Sequence, residues 1–295
     1  MKIVLSGVGG FVGSELQRCL AEAGHSTVRL VRRPPASRLE KQWDPARHSL
    51  DEAIIDGADA VINLAGAGVA DRRWTSRYRH LIVSSRVDTT QTLADAVRRV
   101  ASPPRVFVNA SAVGFYGDRG DEVLTEAAPI GTGFLADVCR EWEAAASQLP
   151  AGVRAVRART GIVLGTGGGA AGKMLPLLRA GLGGPLGTGR QWWPWITLAD
   201  VARAYAHVVA DETISGPVNF VGPEPQRNKR VIRALAGAFG RPAALPVPGW
   251  ALHAAVDGFA ADILASTRAV PTALTASGFE FAHPDIGSAA RWLAG

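Results

Sequence analysis

The sequence predicts an α/β protein with a doubly wound parallel sheet and a smaller, mostly helical C-terminal substrate lobe. Short apolar runs recur through the first 165 residues, and helical stretches of ten or more residues separate them. A Gly-rich segment then precedes a mainly helical remainder. Unbroken apolar strands between helices are typical of parallel sheets covered on both faces.

The first predicted strand, KIVLS at 2–6, is continuously apolar and runs into glycines and a helix at 11–23. A second strand follows at 27–31. Residues 32–50 are polar, contain prolines and are expected to be irregular, and a third buried strand covers 59–65.

The long amphipathic pattern of 74–99 predicts a helix that ends before Pro103-Pro104. A strand at 105–111, a helix at 131–148 and an alternating strand at 153–159 follow. These βαβ repeats predict a sheet domain over 1–165, with further elements from about 191–225.

The second part, 166–295, is expected to contain a mobile Gly-rich loop and the substrate lobe. Eleven glycines fall within 161–190, around one short helix. The remaining elements are predicted as a strand at 217–221 and as helices at 172–180, 198–211, 228–239 and 250–265.

Composition excludes several classes of protein. The net charge is +6, but the arginines are scattered, with only short pairs such as Arg32-Arg33 and Arg72-Arg73, so no nucleic-acid partner is expected. No stretch of 18 apolar residues occurs, so no membrane helix is expected. The six histidines lack metal-binding spacing, and Cys19 and Cys139 form no CxxC motif. We therefore expect no metal site, free buried thiols and a cytoplasmic location.

Three glycines directly after the first strand indicate a phosphate-binding turn. Gly7, Gly10 and Gly13 have the spacing GxxGxxG at the opening of a helix. Such glycines permit the tight turn, the approach of a pyrophosphate and close helix packing. The turn predicts a Rossmann-type dinucleotide site that also includes Val8, Phe11 and Val12. A glycine-rich turn without a ligand is the alternative.

The end of the second strand predicts which dinucleotide binds. NAD sites usually carry an acidic residue there, whereas this strand continues into Arg32 and Arg33. Two guanidiniums suit a 2′-phosphate, so we expect NADP(H) rather than NAD(H). Alternatively, both arginines are merely solvated.

Several longer segments resemble an atypical branch of the extended short-chain dehydrogenases/reductases, the nucleoside-diphosphate-sugar epimerase-like (SulA-type) family. They are VINLAGAGVADRRWT (61–75), SSRVDTT (84–90), SAVGFYGDRGD (111–121), CREWEAAA (139–146), ARTGIVLG (158–165), GKMLPLLRAGLGGPLGTGRQWWPWITLAD (172–200) and NFVGPEPQRN (219–228). The resemblance covers nearly the whole chain and implies an extra C-terminal domain at about 246–295.

The resemblance also implies roles for individual residues. Ser111 matches the active-site serine. The positions implied to lie along the cofactor are Asn63, Leu64, Ala65 and Gly66 at the nicotinamide-side ribose, Trp43 and Asp44 at the adenine, and Arg159 beyond the nicotinamide.

The catalytic Tyr-x-x-x-Lys pair of this superfamily is absent. None of the three tyrosines has a lysine four positions later, and the two places are held by about Leu135 and Cys139. Tyr116, five residues after Ser111, is the best substitute acid–base. Alternatively, it caps a turn and packs its ring.

Three further residues are predicted to contact a substrate. Lys173 begins the helix of the Gly-rich loop and could anchor an anion, or be a solvated charge. Trp193 and Trp195 could stack on a planar substrate beneath a Gly-rich lid, or simply pack in a core. Helix 74–99 could form a homodimer or pack on the sheet.

We therefore expect an NADP(H)-dependent oxidoreductase or epimerase of a small polar substrate. The first alternative is a non-catalytic NADP(H)-binding module that senses redox state through a protein partner. The second is a scaffold that has lost its ligand or a nucleic-acid binder.

Overall fold

The computed structural model describes residues 1–256 and 258–295, without the side chains of residues 170, 171, 173 and 255. Within these residues the strands are β1 (Lys2–Ser6), β2 (Ser26–Val31), β3 (Glu40–Gln42), β4 (Ala60–Asn63), β5 (Val106–Ala112), β6 (Val123–Leu124), β7 (Arg154–Thr160), β8 (Ile162–Leu164), β9 (Trp192–Trp193), β10 (Trp195–Thr197), β11 (Gly216–Phe220), β12 (Gln226–Arg227) and β13 (Arg268–Ala269).

The helices of the same residues complete the secondary structure. They are α1 (Phe11–Glu22), α2 (Ser76–Arg99), α3 (Phe134–Ala145), α4 (Gly169–Arg179), α5 (Leu198–Ala210), α6 (Asn228–Ala238), α7 (Gly249–Val256), α8 (Phe259–Leu264), α9 (Thr272–Ala276) and α10 (Ile286–Ala294).

The main sheet of the described residues is parallel and has the strand order β11-β7-β5-β4-β1-β2-β3. The predicted doubly wound fold is therefore confirmed. The order reverses at β1, which pairs with β2 on one side and β4 on the other. In such sheets ligands bind at the carboxyl ends of the strands, at this reversal.

Helices cover both faces of the sheet, which explains why the strands are continuously apolar. On one face α1 and α5 pack over Ile3, Leu5 and Ile62. On the other face Leu93 and Val97 of α2 pack over Val4, Val61 and Phe107. Leu93 is fully buried in this contact, whereas Leu81 of the same helix is 44% exposed.

The structure differs from the predicted elements in two places and confirms a third element. The irregular stretch 32–50 contains the short edge strand β3. The single helix predicted for 250–265 is two helices, α7 and α8. The strand predicted at 217–221 is β11, which pairs with β7 at the edge of the main sheet. A short edge strand of three polar residues leaves no apolar pattern by which to recognise it.

The C-terminal lobe has its own core. Trp193 and Trp195 pack there with Leu164, Leu175 of α4, Val231 and Leu235 of α6, and Leu293 of α10. Asp200 of α5 connects the sheet side to the chain before α10, because its carboxylate accepts hydrogen bonds from the backbone N–H groups of Ala282 (2.7 Å) and His283 (3.1 Å).

Candidate functional site

The glycine turn between β1 and α1 brings three backbone segments into close contact. Gly7 has φ +74°, and a Cβ there would lie 2.6 Å from the carbonyl carbon of Leu64 in the loop after β4. A Cβ on Gly13 would collide with the carbonyl oxygen of Gly7. The turn itself is closed by a 3.0 Å hydrogen bond from Gly10 N–H to Gly7 O. Only glycine fits at Gly7 and Gly13, which is the close packing that a phosphate-binding turn requires.

Helix α1 offers its N-terminus to this turn. The residue preceding the helix is Gly10, and no side chain caps the first N–H groups. Free N–H groups at a helix N-terminus bind anions favourably. Val8 and Val12 pack against the sheet core instead and support the turn from below.

Phe11 connects the glycine turn to the Gly-rich loop after β8. A Cβ added at Gly165, Gly168 or Gly169 would lie 2.5–2.9 Å from the Phe11 ring. A cleft of about 400 Å³ lies here, lined by Gly9, Gly10, Phe11, Ser14, Glu15, Thr166, Gly167 and Leu198. The glycines after β8 therefore leave room for the Phe11 ring at the mouth of the phosphate-binding turn.

A buried polar network holds the loop after β4. Asn63 accepts a hydrogen bond from the Ser6 hydroxyl (2.6 Å) and donates to Asn109 (2.8 Å). Its Oδ1 also accepts from the backbone N–H of Ala65 (3.2 Å). Asn63 thus fixes the start of the segment Leu64, Ala65 and Gly66 at the strand reversal, where the family resemblance implies a cofactor ribose.

The two arginines after β2 have different environments. Arg33 donates two hydrogen bonds to the carboxylate of Glu40, at 2.7 and 2.9 Å. These bonds lower the pKa of Glu40 to about 2. Arg32 is exposed and forms no ion pair with the described residues. Of the two guanidiniums predicted for a 2′-phosphate, Arg33 is therefore already paired with an acid that β3 brings alongside.

The structure argues against an adenine contact for Trp43, although Asp44 is accessible. Trp43 is 4% exposed and packs in the core beneath the sheet with Val4, Leu30 and Ile55. Asp44 has a half-exposed side chain and pairs with Arg47 at 3.7 Å.

Ser111, near the carboxyl end of β5, is held by a buried ion pair. Its hydroxyl donates to Glu143 of α3 at 2.7 Å. Arg159 of β7 donates to both oxygens of the same carboxylate, at 2.9 and 3.0 Å. The three residues are 3–8% exposed. Because Glu143 accepts from Ser111, the serine proton points toward the carboxylate and the oxygen lone pairs remain available.

The same geometry gives Arg159 protein partners at the position where the resemblance implies a cofactor contact. Its guanidinium stacks on Phe115 at 3.4 Å and donates to the Tyr116 hydroxyl at 3.1 Å. Burial lowers the pKa of Arg159, but the hydrogen bonds and charge of Glu143 raise it by more, so that the pKa lies above its ordinary value. Arg159 is thus engaged by protein groups and acts by holding Glu143.

The structure also argues against proton exchange with a substrate at Tyr116. The side chain is fully buried, and its hydroxyl donates to Asn219 Oδ1 at 2.7 Å and accepts from Arg159. Burial raises the pKa of Tyr116 above its ordinary value, despite Arg159. A buried phenol with both partners supplied by protein fits the packing alternative.

The two positions of the missing catalytic pair hold apolar groups. Leu135 packs beside Phe134 and Val138 on α3. The thiol of Cys139 is buried 3.6 Å from Ala112 O, and burial raises its pKa to about 11. A thiol in this environment stays protonated near neutral pH and does not replace the lysine ammonium.

The tryptophans predicted to stack on a substrate are core residues. Trp193 and Trp195 are 4% and 1% exposed, and their indole N–H groups donate to the carbonyls of Ile263 and Glu224, each at 3.2 Å. The packing alternative therefore explains both. The side chain of Lys173 lies outside the described residues.

Sequence reasoning missed Glu143 and Arg86. Both are charged residues on helix faces that pack toward the sheet, Glu143 one turn after Cys139 on α3 and Arg86 near the middle of α2. A charge at a core-facing helical position was the available signal.

The described residues contain neither a candidate metal site nor a candidate membrane span. No group of three or more His, Cys, Asp or Glu side chains there could hold a metal ion. No helix among them is long and apolar enough to cross a membrane.

Comparison with known proteins agrees with this architecture. Residues 3–222 match the model of the NAD dependent epimerase/dehydratase family, and residues 247–293 match a domain of unknown function (DUF1731). The chain is 40% identical over 289 residues to the epimerase family protein Mb2239 of Mycobacterium bovis, covering 97% of this chain and 95% of that protein.

A solved relative is similar over its whole length. The crystal structure of the human epimerase family protein SDR39U1 with NADPH superposes with a TM-score of 0.93 at 32% identity, covering 100% of this chain and 99% of that one. The family model matches most of the chain, and the relatives are similar to it over nearly their whole length. The chain therefore belongs to the NAD dependent epimerase/dehydratase family.

Proposed function

We propose that this protein is an NADP(H)-dependent oxidoreductase or epimerase that acts on a small polar substrate. The observation that carries the proposal is the fixed hydroxyl of Ser111. It lies near the carboxyl end of β5, two strands from the glycine turn, and is oriented by the 2.7 Å hydrogen bond to Glu143.

The chain's own residues fit a dinucleotide. The glycine turn leaves no room for a Cβ at Gly7 or Gly13, and the uncapped N-terminus of α1 suits a pyrophosphate. Exposed Arg32 supports the choice of the phosphorylated cofactor, as does the NADPH of the human relative. When bound, the nicotinamide supplies or accepts the hydride.

In this proposal Ser111 orients the reacting oxygen of the substrate. Because the Ser111 hydroxyl donates its hydrogen bond to Glu143, the serine oxygen can accept a hydrogen bond from a substrate hydroxyl. When a hydride leaves the carbon that bears this hydroxyl, the hydroxyl proton must leave as well. In this proposal the proton passes to Ser111, whose own proton moves to Glu143. Arg159 keeps Glu143 in position from behind.

We also propose residues 1–165, with elements from about 191–225, as the cofactor domain, and 166–295 as the Gly-rich loop and substrate lobe. Free thiols at Cys19 and Cys139 support a reducing compartment such as the cytoplasm.

Cofactor binding is tested by thermal unfolding with NADPH, NADP⁺, NADH and NAD⁺. A ligand at about 100 times its Kd stabilises by about 2.7 kcal/mol, which raises the Tm by several degrees. We expect this only with the phosphorylated pair, and we expect Arg32→Ala to reduce the preference. Arg105→Ala is the matched control, because Arg105 precedes β5 at the opposite edge of the sheet. No shift with any of the four nucleotides would refute the proposal.

Turnover is tested by following the absorbance of bound NADPH against a panel of small aldehydes, ketones and keto acids. Ser111→Ala should reduce any rate found by roughly 10²-fold or more and leave NADPH binding unchanged. An unchanged rate in this variant would remove Ser111 from the mechanism.

The alternative is a non-catalytic NADP(H) sensor, and the apolar pair Leu135 and Cys139 favours it. It predicts no hydride transfer to any compound of the panel, and a partner affinity that differs between NADPH and NADP⁺.

A further inference from the structure

Arg86 is a half-buried cation at the carboxyl edge of the sheet. Its Nη1 donates to Ala67 O in the loop after β4 and to Ile82 O in its own helix, both at 2.9 Å. The side chain runs so close under Gly66 that a Cβ there would lie 3.2 Å from Arg86 Cγ. The guanidinium is therefore held beside the loop at the strand reversal.

The orientation of this guanidinium is also fixed. Its carbon lies 5.0 Å from the centre of the Trp142 ring. The Trp142 indole donates to the Thr90 hydroxyl at 3.0 Å, and Thr90 donates to Asn109 of β5 at 3.0 Å. Because the ring that the guanidinium stacks on is itself held by a hydrogen bond, the Arg86 side chain loses little conformational entropy when it binds a ligand.

The charge of Arg86 has no counter-ion in the described part of the chain. No carboxylate lies within ion-pair distance of it there, and its Nε and Nη2 make no hydrogen bond to the described residues. Burial lowers the pKa of Arg86. Nε and Nη2 of Arg86 are not among the buried unpaired atoms of the described residues, so these donors are accessible, and an anion that accepts from them forms charge-assisted hydrogen bonds.

Arg86 lies on the Ser111 side of the nucleotide turn. Arg86 stacks on Trp142 of α3, and the next residue of that helix, Glu143, accepts the hydrogen bond from Ser111. The glycine turn follows β1, whereas Arg86 belongs to α2 and lies under the loop after β4. The expected pyrophosphate site is formed by the turn and the N-terminus of α1 and does not include Arg86.

We infer that Arg86 binds an oxyanion of the substrate, a carboxylate or a phosphate, while Ser111 holds the oxygen that reacts. The inference rests on the proposed function and narrows its substrate to an anionic molecule. The planar fork of the guanidinium suits either oxyanion through two parallel hydrogen bonds.

The test uses inorganic phosphate and malonate as probes, each titrated at constant ionic strength and followed by calorimetry. The proteins are the wild type and the variants Arg86→Met, Arg86→Lys and Arg77→Met, each with and without saturating NADP⁺. Arg77 is the matched control, an exposed arginine on the same helix.

We expect at least one probe to bind the wild type and Arg77→Met equally. Arg86→Met should weaken that binding roughly 10- to 100-fold, and Arg86→Lys should weaken it less. NADPH affinity should be the same in all four proteins. If Arg86→Met does not fold, weaker probe binding by Arg86→Lys with unchanged NADPH affinity supports the inference.

Three results would overturn it. The first is that neither probe binds the wild type, and the second is that the probes bind equally well after substitution of Arg86. The third is a loss of NADPH affinity in the Arg86 variants, which would mean that Arg86 binds a phosphate of the cofactor instead of the substrate. Failure of NADPH to bind the wild type would instead refute the proposed function, and the titrations without nucleotide would still report on Arg86.

Discussion

Removing the charge of Glu143 should destabilise the protein strongly. Glu143 accepts hydrogen bonds from Arg159 at 2.9 and 3.0 Å and from Ser111 at 2.7 Å, in a place where the two ionic side chains are 10% exposed or less. Glu143→Gln leaves the guanidinium without a counter-ion, and breaking a buried pair in this way costs about 3–5 kcal/mol. That is a large share of the roughly 5–15 kcal/mol by which a native protein is stable.

The size of the coupling is measured by a double-mutant cycle. Glu143→Leu and Arg159→Met should each cost a similar amount alone, whereas the double variant with both changes should cost much less than the sum of these two single changes. The assay is urea unfolding followed by tryptophan fluorescence at pH 7 without nucleotide.

An exposed pair on the same helix is the control. Arg140 and Asp137 lie 2.7 Å apart with more than half of each side chain exposed, so Asp137→Asn should cost at most about 1 kcal/mol. The reasoning fails if Glu143→Gln costs no more than this control, or if the two single changes are additive.

Three further predictions follow from other contacts. Gly13→Ala places a Cβ against Gly7 O and should abolish NADPH binding in equilibrium dialysis; affinity within threefold of the wild type would contradict the geometry of the turn. Burial raises the pKa of Asp262 to about 6. The stability that this protonation contributes is complete below about pH 4 and is lost as the pH rises through about 6. Asp262→Asn should therefore gain about 1–2 kcal/mol relative to the wild type between pH 4 and pH 8, and parallel pH profiles of urea unfolding would refute this. Tyr116→Phe leaves Asn219 Oδ1 without its donor and should cost about 1–3 kcal/mol in urea unfolding while any turnover per folded molecule stays unchanged; a loss of turnover at full stability would restore a catalytic role for the tyrosine.

Much of the fold could be predicted from local patterns. The apolar strands, the long helix before Pro103 and the turn at Gly7, Gly10 and Gly13 each depend on residues close together in the chain. Their observed bounds lie within a few residues of those predicted. Periodicity and turn chemistry are properties of a short segment, which is why the sequence alone determined the doubly wound architecture.

The tertiary structure decided which charged and aromatic side chains are available to a ligand. Arg33 pairs with Glu40 only because β3 lies beside β2, and Arg159 is the partner of Glu143 because α3 packs over β5, the strand beside β7. Packing likewise buries Tyr116 and leaves Arg86 without a counter-ion in the described part of the chain. Such pairings depend on distances between elements far apart in sequence, and no local pattern encodes those distances.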